Sequence, residues 1–165
     1  MRYGLIVVAM VVGLAGCSSV DPASGSAVDV GRWVSARTGE CESPRVGTLE
    51  EFAAFVGPLR AKLYAPYVSE WATCAVAPYE KLGLVVIRPS EMKAFEEGWK
   101  ASLEAGEVRG DPDFGFGEGF AVSATTGLER LGLRYLRCTP GGEALSPEPA
   151  EVEGCYYSEM PRHGH

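Results

Sequence analysis

Residues 5–12 are apolar without a break, and Gly13 leads from them into Leu14-Ala15-Gly16-Cys17. The stretch that follows, Ser18-Ser19-Val20-Asp21-Pro22-Ala23-Ser24-Gly25-Ser26, is small and polar with no apolar period, which predicts a flexible tether. Helical spacing sets in at Thr48. With Glu51 three residues on, it forms a capping box, in which hydroxyl and carboxylate satisfy free amides of a first turn. Leu49, Phe52, Val56, Leu59 and Leu63 then share one face. Gly57-Pro58 interrupts them, so the pattern predicts a kink or two short helices, with Pro58 in the first turn of the second and Pro66 ending the segment.

Two Val-rich runs, 71–76 and 82–88, bounded by Pro78 and Pro89, predict a hairpin turned at 77–81. Ser90 then reads as the cap of a second helix, with Glu91 near its positive end. Met92, Phe95, Trp99 and Leu103 form its apolar face, and Gly106 supplies the stop. Residues 107–118, rich in Gly, Asp and Pro, read as a loop, and the runs 120–125 and 131–138 predict a second hairpin turned at Thr126-Gly127. Helix, hairpin, helix, hairpin is an α+β order: an antiparallel sheet with helices packed on one face. From Thr139 onward Pro, Gly and Glu dominate until Cys155-Tyr156-Tyr157, so 139–165 is expected to be an acidic tail pinned at Cys155.

Arg2 ahead of the apolar run, and small residues behind it, complete the parts of a secretory signal. A membrane span would need about 20 apolar residues, and this run falls short. Leu14-Ala15-Gly16-Cys17 resembles the bacterial lipobox at all four positions. The resemblance implies cleavage after Gly16, a diacylglyceryl thioether on Cys17 and acylation of the new amino group. One acyl chain anchors marginally, at ~0.8 kcal/mol per buried methylene, whereas two or three hold a protein on a membrane stably. The expected organisation is a signal peptide 1–16, a lipidated tether 17–29, a single domain 30–138 and the tail 139–165. Ser18 rather than Asp at the second mature position implies the outer membrane of a two-membrane cell, or the outer face of the cytoplasmic membrane of a one-membrane cell. The element order also resembles the PsbP-like domains of small high-GC lipoproteins, which carries the same α+β expectation.

Composition narrows the partners. The 165-residue chain is 46% hydrophobic, ordinary for a globular protein, so global disorder is excluded. Asn and Gln are absent and Arg dominates Lys, a mark of high-GC coding rather than of function. Net charge is −7, but the acidity gathers in the flanks and the 30–138 stretch is nearly neutral. No basic stripe suits nucleic acid, and the membrane is reached through the lipid alone. Cys41, Cys74, Cys138 and Cys155 are an even set in an exported chain and read as a disulfide staple. Of three possible pairings, Cys41–Cys74 and Cys138–Cys155 are favoured because neighbouring pairs close modest loops. No Cys-x-x-Cys supports a thioredoxin-like or zinc site.

Candidate chemistry is thin. Asp111, Asp113 and Glu118, on a Gly-flexed loop, could wrap calcium, the one cofactor the sequence offers; a solvated acidic loop is the plainer reading. The loop departs from the EF-hand pattern at Gly115, Phe116 and Val122, which stand where a ligand, the glycine and the bidentate Glu belong. Gly115, Gly117 and Gly119 miss the dinucleotide fingerprint and instead let Phe114, Phe116 and Phe120 turn inward. His163 and His165 are the only histidines and stand at the extreme end, so the packed domain lacks an imidazole base for Ser-His-Asp or Cys-His catalysis. Arg134 and Arg137 fall on opposite faces of a strand, and Trp99 lies on an apolar helical face and reads as core. These residues point to a non-catalytic binding or interaction module at the envelope, serving an envelope protein or a small ligand. The alternatives are a hydrolase acting on envelope glycan through paired carboxylates roughly 5–9 Å apart, or a weak calcium-binding module.

Overall fold

A computed structural model describes residues 25–123, 128–139 and 144–159. The lipobox with Cys17, most of the tether, the Thr126-Gly127 turn and both histidines lie outside the described residues. The first element is helix α1 (Ala27–Thr38), whose first turn comes from the stretch read as tether. Ser26 and Asp29 close a capping box over it: the Asp29 amide donates to the Ser26 hydroxyl, and the Asp29 carboxylate accepts from the Ser26 amide. Gly31 in mid-helix weakens the sequence signal, yet packing requires it. A Cβ there would stand 2.7 Å from the Pro44 ring.

Strand β1 (Arg45–Val46) and helices α2 (Leu49–Val56) and α3 (Pro58–Tyr64) follow. The expected Thr48–Glu51 capping box is present, and the interruption at Gly57-Pro58 resolves into two short helices with Pro58 opening the second. Strands β2 (Val68–Val76) and β3 (Tyr79–Ile87) form the expected hairpin. Helix α4 (Met92–Glu104) begins one residue later than it would if Ser90 capped it. Pro89–Glu91 instead winds a 3-10 turn, and no side chain caps the helix.

Strands β4 (Gly115–Gly117), β5 (Phe120–Val122), β6 (Arg134–Arg137), β7 (Leu145–Pro149) and β8 (Tyr156–Glu159) complete the sheet. All pairings are antiparallel, in the order β1-β2-β3-β5-β4-β6-β8-β7. Two expectations are corrected here. Runs 120–125 and 131–138 do not pair with each other: β5 lies between β3 and β4, and β6 lies between β4 and β8. The strand inserted between them, β4, comes from the loop stretch 107–118, where Gly-Phe-Gly hides its strand character. A Cβ on Gly115 would meet the Leu133 side chain at 2.7 Å, so that glycine permits a close pairing rather than a loop. The tail likewise contributes two strands to the sheet beyond its anchor at Cys155.

Alternation along the strands sorts side chains onto two faces. Ala72, Cys74, Leu82, Leu84, Phe120, Val122 and Tyr135 pack with Val30, Trp33 and Val34 of α1. Trp71, Val85, Ile87, Phe116, Ala121 and Leu136 pack with Phe52, Tyr64, Phe95 and Trp99. The helices foreseen in the sequence therefore do share one face of an antiparallel α+β sheet, and α1 covers the other. Phe114, Phe116 and Phe120 all turn inward, and Trp99 is core. Both favoured disulfides are formed, with Cα separations of 5.1 Å for Cys41–Cys74 and 4.3 Å for Cys138–Cys155. Among the described residues no helix is long and apolar enough to cross a membrane.

Candidate ligand cleft

Three sequence-distant segments enclose a cavity of about 370 Å³ on the three-helix face. Phe55 and Val56 come from the end of α2, Arg60 and Tyr64 from α3, Tyr79 and Lys81 from the start of β3, and Asp113, Phe114 and Ser123 from the segments flanking β4 and β5. Pro58 at the first turn of α3 sets the angle at which Arg60 and Tyr64 follow Phe55. Tyr64 is only 1% exposed, and its ring lies 5.1 Å from Phe114, 5.2 Å from Trp99 and 5.4 Å from Phe95. Its hydroxyl has no hydrogen-bond partner among the described residues. Buried polar atoms are nearly always partnered, so this hydroxyl is an exception within the aromatic core beside the cleft. Burial pushes the Tyr64 acid dissociation far up, which keeps the group a neutral hydroxyl, and the nearby Arg60 guanidinium opposes that shift. Arg60 is ion-paired with Asp113. Ser123 Oγ accepts from the Gly83 amide at 2.7 Å, which leaves its own proton to donate.

A second concavity, about 280 Å³, lies where α4, the β4–β5 turn and β8 meet, lined among others by Met92, Glu96, Phe116, Glu118, Arg134 and Glu148. Glu96 is its notable group, a carboxylate only 1% exposed. Tyr157 Oη donates to one oxygen at 2.9 Å and the Val152 amide to the other at 3.0 Å. Both bonds run to the segment that follows β7, so Glu96 fastens the C-terminal strands to α4. Burial raises its acid dissociation above the ordinary glutamate range, and the hydrogen bonds from Tyr157 and Val152 only partly offset this. The stability this shift adds is complete below that ordinary range and is lost as pH rises through the raised value. The melting temperature of the wild type is therefore expected to fall relative to that of Glu96→Gln as pH rises from the ordinary glutamate range through the raised value. A gap constant with pH would show that Glu96 ionises as an exposed glutamate does.

The carboxylates singled out for calcium turn to different partners. One oxygen of Asp111 accepts from the Cys138 amide (2.8 Å), the Thr139 amide (3.0 Å) and the Thr139 hydroxyl (3.1 Å), and Arg137 stands 3.6 Å from the other. Asp113 pairs with Arg60 in the first cleft, and Glu118 lines the second. Among the described residues no three His, Cys, Asp or Glu side chains gather as a metal site. Arg134 pairs with Glu148 at 2.9 Å while Arg137 turns to Asp111, as opposite faces of β6 require. Sequence reasoning missed Arg60, Tyr64 and Lys81, whose only local signal is a polar-tipped aromatic next to the apolar stripe of α3. Compared with family models, with curated proteins and with solved structures, the chain matches none.

Proposed function

We propose that the protein is a lipoprotein of the cell envelope, held on the extracytoplasmic side by lipid on Cys17, whose α+β body is a non-catalytic binding module. The observation that carries the binding reading is the cleft of about 370 Å³ lined by Phe55, Arg60, Tyr64, Lys81, Asp113 and Phe114, apolar rings with two cations against one ion-paired carboxylate. Leu14-Ala15-Gly16-Cys17 supports the anchoring. Nothing in the cleft couples a nucleophile to a base, since its titratable groups are two cations, an ion-paired aspartate and tyrosines. Mass spectrometry of the membrane-extracted protein is expected to show a chain that begins at Cys17 and carries the diacylglyceryl group. An unmodified chain that retains residues 1–16 would overturn the anchoring.

The glycan-hydrolase alternative keeps one specific observation, the raised acid dissociation of Glu96 in the second cleft, with Glu118 and Glu148 also in its lining. Against it, both Glu96 oxygens already accept bonds from the C-terminal segment. Release of reducing ends from envelope glycan, abolished by Glu96→Gln, would favour it over a binding role.

A further inference from the structure

The C-terminal segment 144–159 lies against the body as a lightly held strap. All five residues of β7 are exposed, and β7 pairs with β8 alone. Of β8 only Ser158 is buried, and its place in the sheet rests on three register pairs with β6: Tyr156 with Arg137, Tyr157 with Leu136 and Ser158 with Tyr135. Segments that bury so little apolar surface open locally while the rest of a fold persists. The Cys138–Cys155 bond keeps the strap attached at the start of β8.

Glu96 holds the strap from the helical side through Tyr157 Oη and the Val152 amide, and it has no ion-pair partner among the described residues. The charges around it offer no relief. Glu151 is a like charge beside it, and Glu118 and Glu148 line the same cavity. Arg134, the cation of that cavity, is taken by Glu148 and by the Ser146 carbonyl at 3.0 Å. On α4 itself, Lys100 donates to the Glu153 carbonyl at 2.7 Å, while Lys93 and Glu97 are exposed. In the turn before α4, Glu91 pairs with Arg88. A neutral carboxyl suits this place. The Val152 amide can only donate, whereas the Tyr157 hydroxyl can also accept, so a proton on Oε1 keeps both contacts. A carboxylate keeps them too, but as a buried charge facing no cation.

We propose that Glu96 is the catch of a pH-operated strap: once its carboxyl loses the proton, the β7–β8 segment lifts from the sheet while the rest of the fold stays intact. Lifting lets water reach the charge. It also removes the wall of the second cleft formed by Glu148, Pro149, Ala150, Glu151 and Tyr157, and uncovers Phe116, whose ring lies 6.0 Å from that of Tyr157. The strand left at the margin is then β6, Arg134–Arg137, which has no proline to blunt it.

The test is hydrogen exchange, read by mass spectrometry, of the full chain in phosphatidylcholine nanodiscs. The pH series starts in the ordinary glutamate range and stops below about pH 9, before lysine and tyrosine ionise, with each rate divided by the intrinsic rate at that pH. In the wild type, opening of peptides covering 150–158 is expected to rise about tenfold per pH unit between the ordinary and the raised acid dissociation of Glu96, then to level off. Peptides from α1 and from β2–β3 are expected to keep their protection throughout. Glu96→Gln can accept from Val152 and donate to Tyr157, and is expected to hold the strap at every pH. Protection of 150–158 that is constant in the wild type, or that changes alike in the variant, would overturn the proposal. Loss across α1 and β2–β3 in step with the strap would also overturn it, because ionisation would then unfold the whole body. Should the variant not fold, the wild-type series decides by itself.

Discussion

Replacing Cys17 with alanine is expected to move the protein from the membrane pellet to the supernatant almost completely. The attachment proposed here is covalent lipid, and the described body offers no substitute for it. Its four α-helices run 7 to 13 residues, none apolar enough to span a bilayer. Large exposed apolar side chains among the described residues are few, namely Val46, Leu49, Leu59 and Leu145. Two or three acyl chains make attachment stable, and their loss leaves only contacts that a salt wash disrupts. Fractionation of cells carrying Cys17→Ala, with a salt-washed pellet, is the measurement. Protein that stays in the washed pellet would show that the lipobox reading is wrong.

Removing the Cys41–Cys74 bond with the pair Cys41→Ser and Cys74→Ser is expected to cost about 3–4 kcal/mol under oxidising conditions, or roughly 10 °C in melting temperature. The chain-entropy argument applies because the bond closes a separation of 33 residues. Native geometry adds to it. Cys41 follows α1 and adopts a left-handed backbone (φ 69°), which a residue with a Cβ rarely does, and its amide donates to the Ala75 carbonyl at 3.1 Å. Bridge and amide bond together hold that conformation and fasten the end of α1 to β2. Without the bridge, α1 relies on the burial of Ala27, Val30, Trp33 and Val34 and on its contacts with the sheet. In reductant the wild type and the double variant are expected to melt alike. A loss of equal size in both conditions would mean that the cysteines contribute by packing alone.

What the sequence made legible follows from where local signals and tertiary requirements agree. Thr48 and Glu51 form a capping box whatever lies around them, and Met92, Phe95 and Trp99, spaced three and then four apart, can share a face only in a helix, so α2 and α4 could be read directly. Helix α1 was hidden by Gly31, a residue present because Pro44 comes within contact distance, a fact that belongs to tertiary packing alone. The same holds for β4, where Gly115 makes room for Leu133. Strands β7 and β8 were obscured by Pro and Glu in a stretch whose order depends on Glu96, 56 residues from the Val152 amide it accepts from. The cleft was illegible for a related reason. Arg60, Tyr64, Lys81 and Asp113 are unremarkable where they stand and acquire meaning only when α3, β3 and the approach to β4 converge. The acidic loop attracted notice because its carboxylates are neighbours in sequence, yet in the fold they face different partners.

The two outermost strands decide how this protein can meet another chain. At one border β1 offers two residues; at the other, β7 carries Pro147 and Pro149, which have no amide proton, and Ser146 turns to φ 48°. An incoming strand would find no continuous row of donors and acceptors to copy at either margin. Proteins crowded on one membrane surface, as the lipid anchor proposed above would crowd this one, risk joining sheet to sheet, and this sheet is blunted against it at both ends. Under the binding role proposed above, recognition would be left to side chains on the helical layers and in the clefts rather than to backbone repetition.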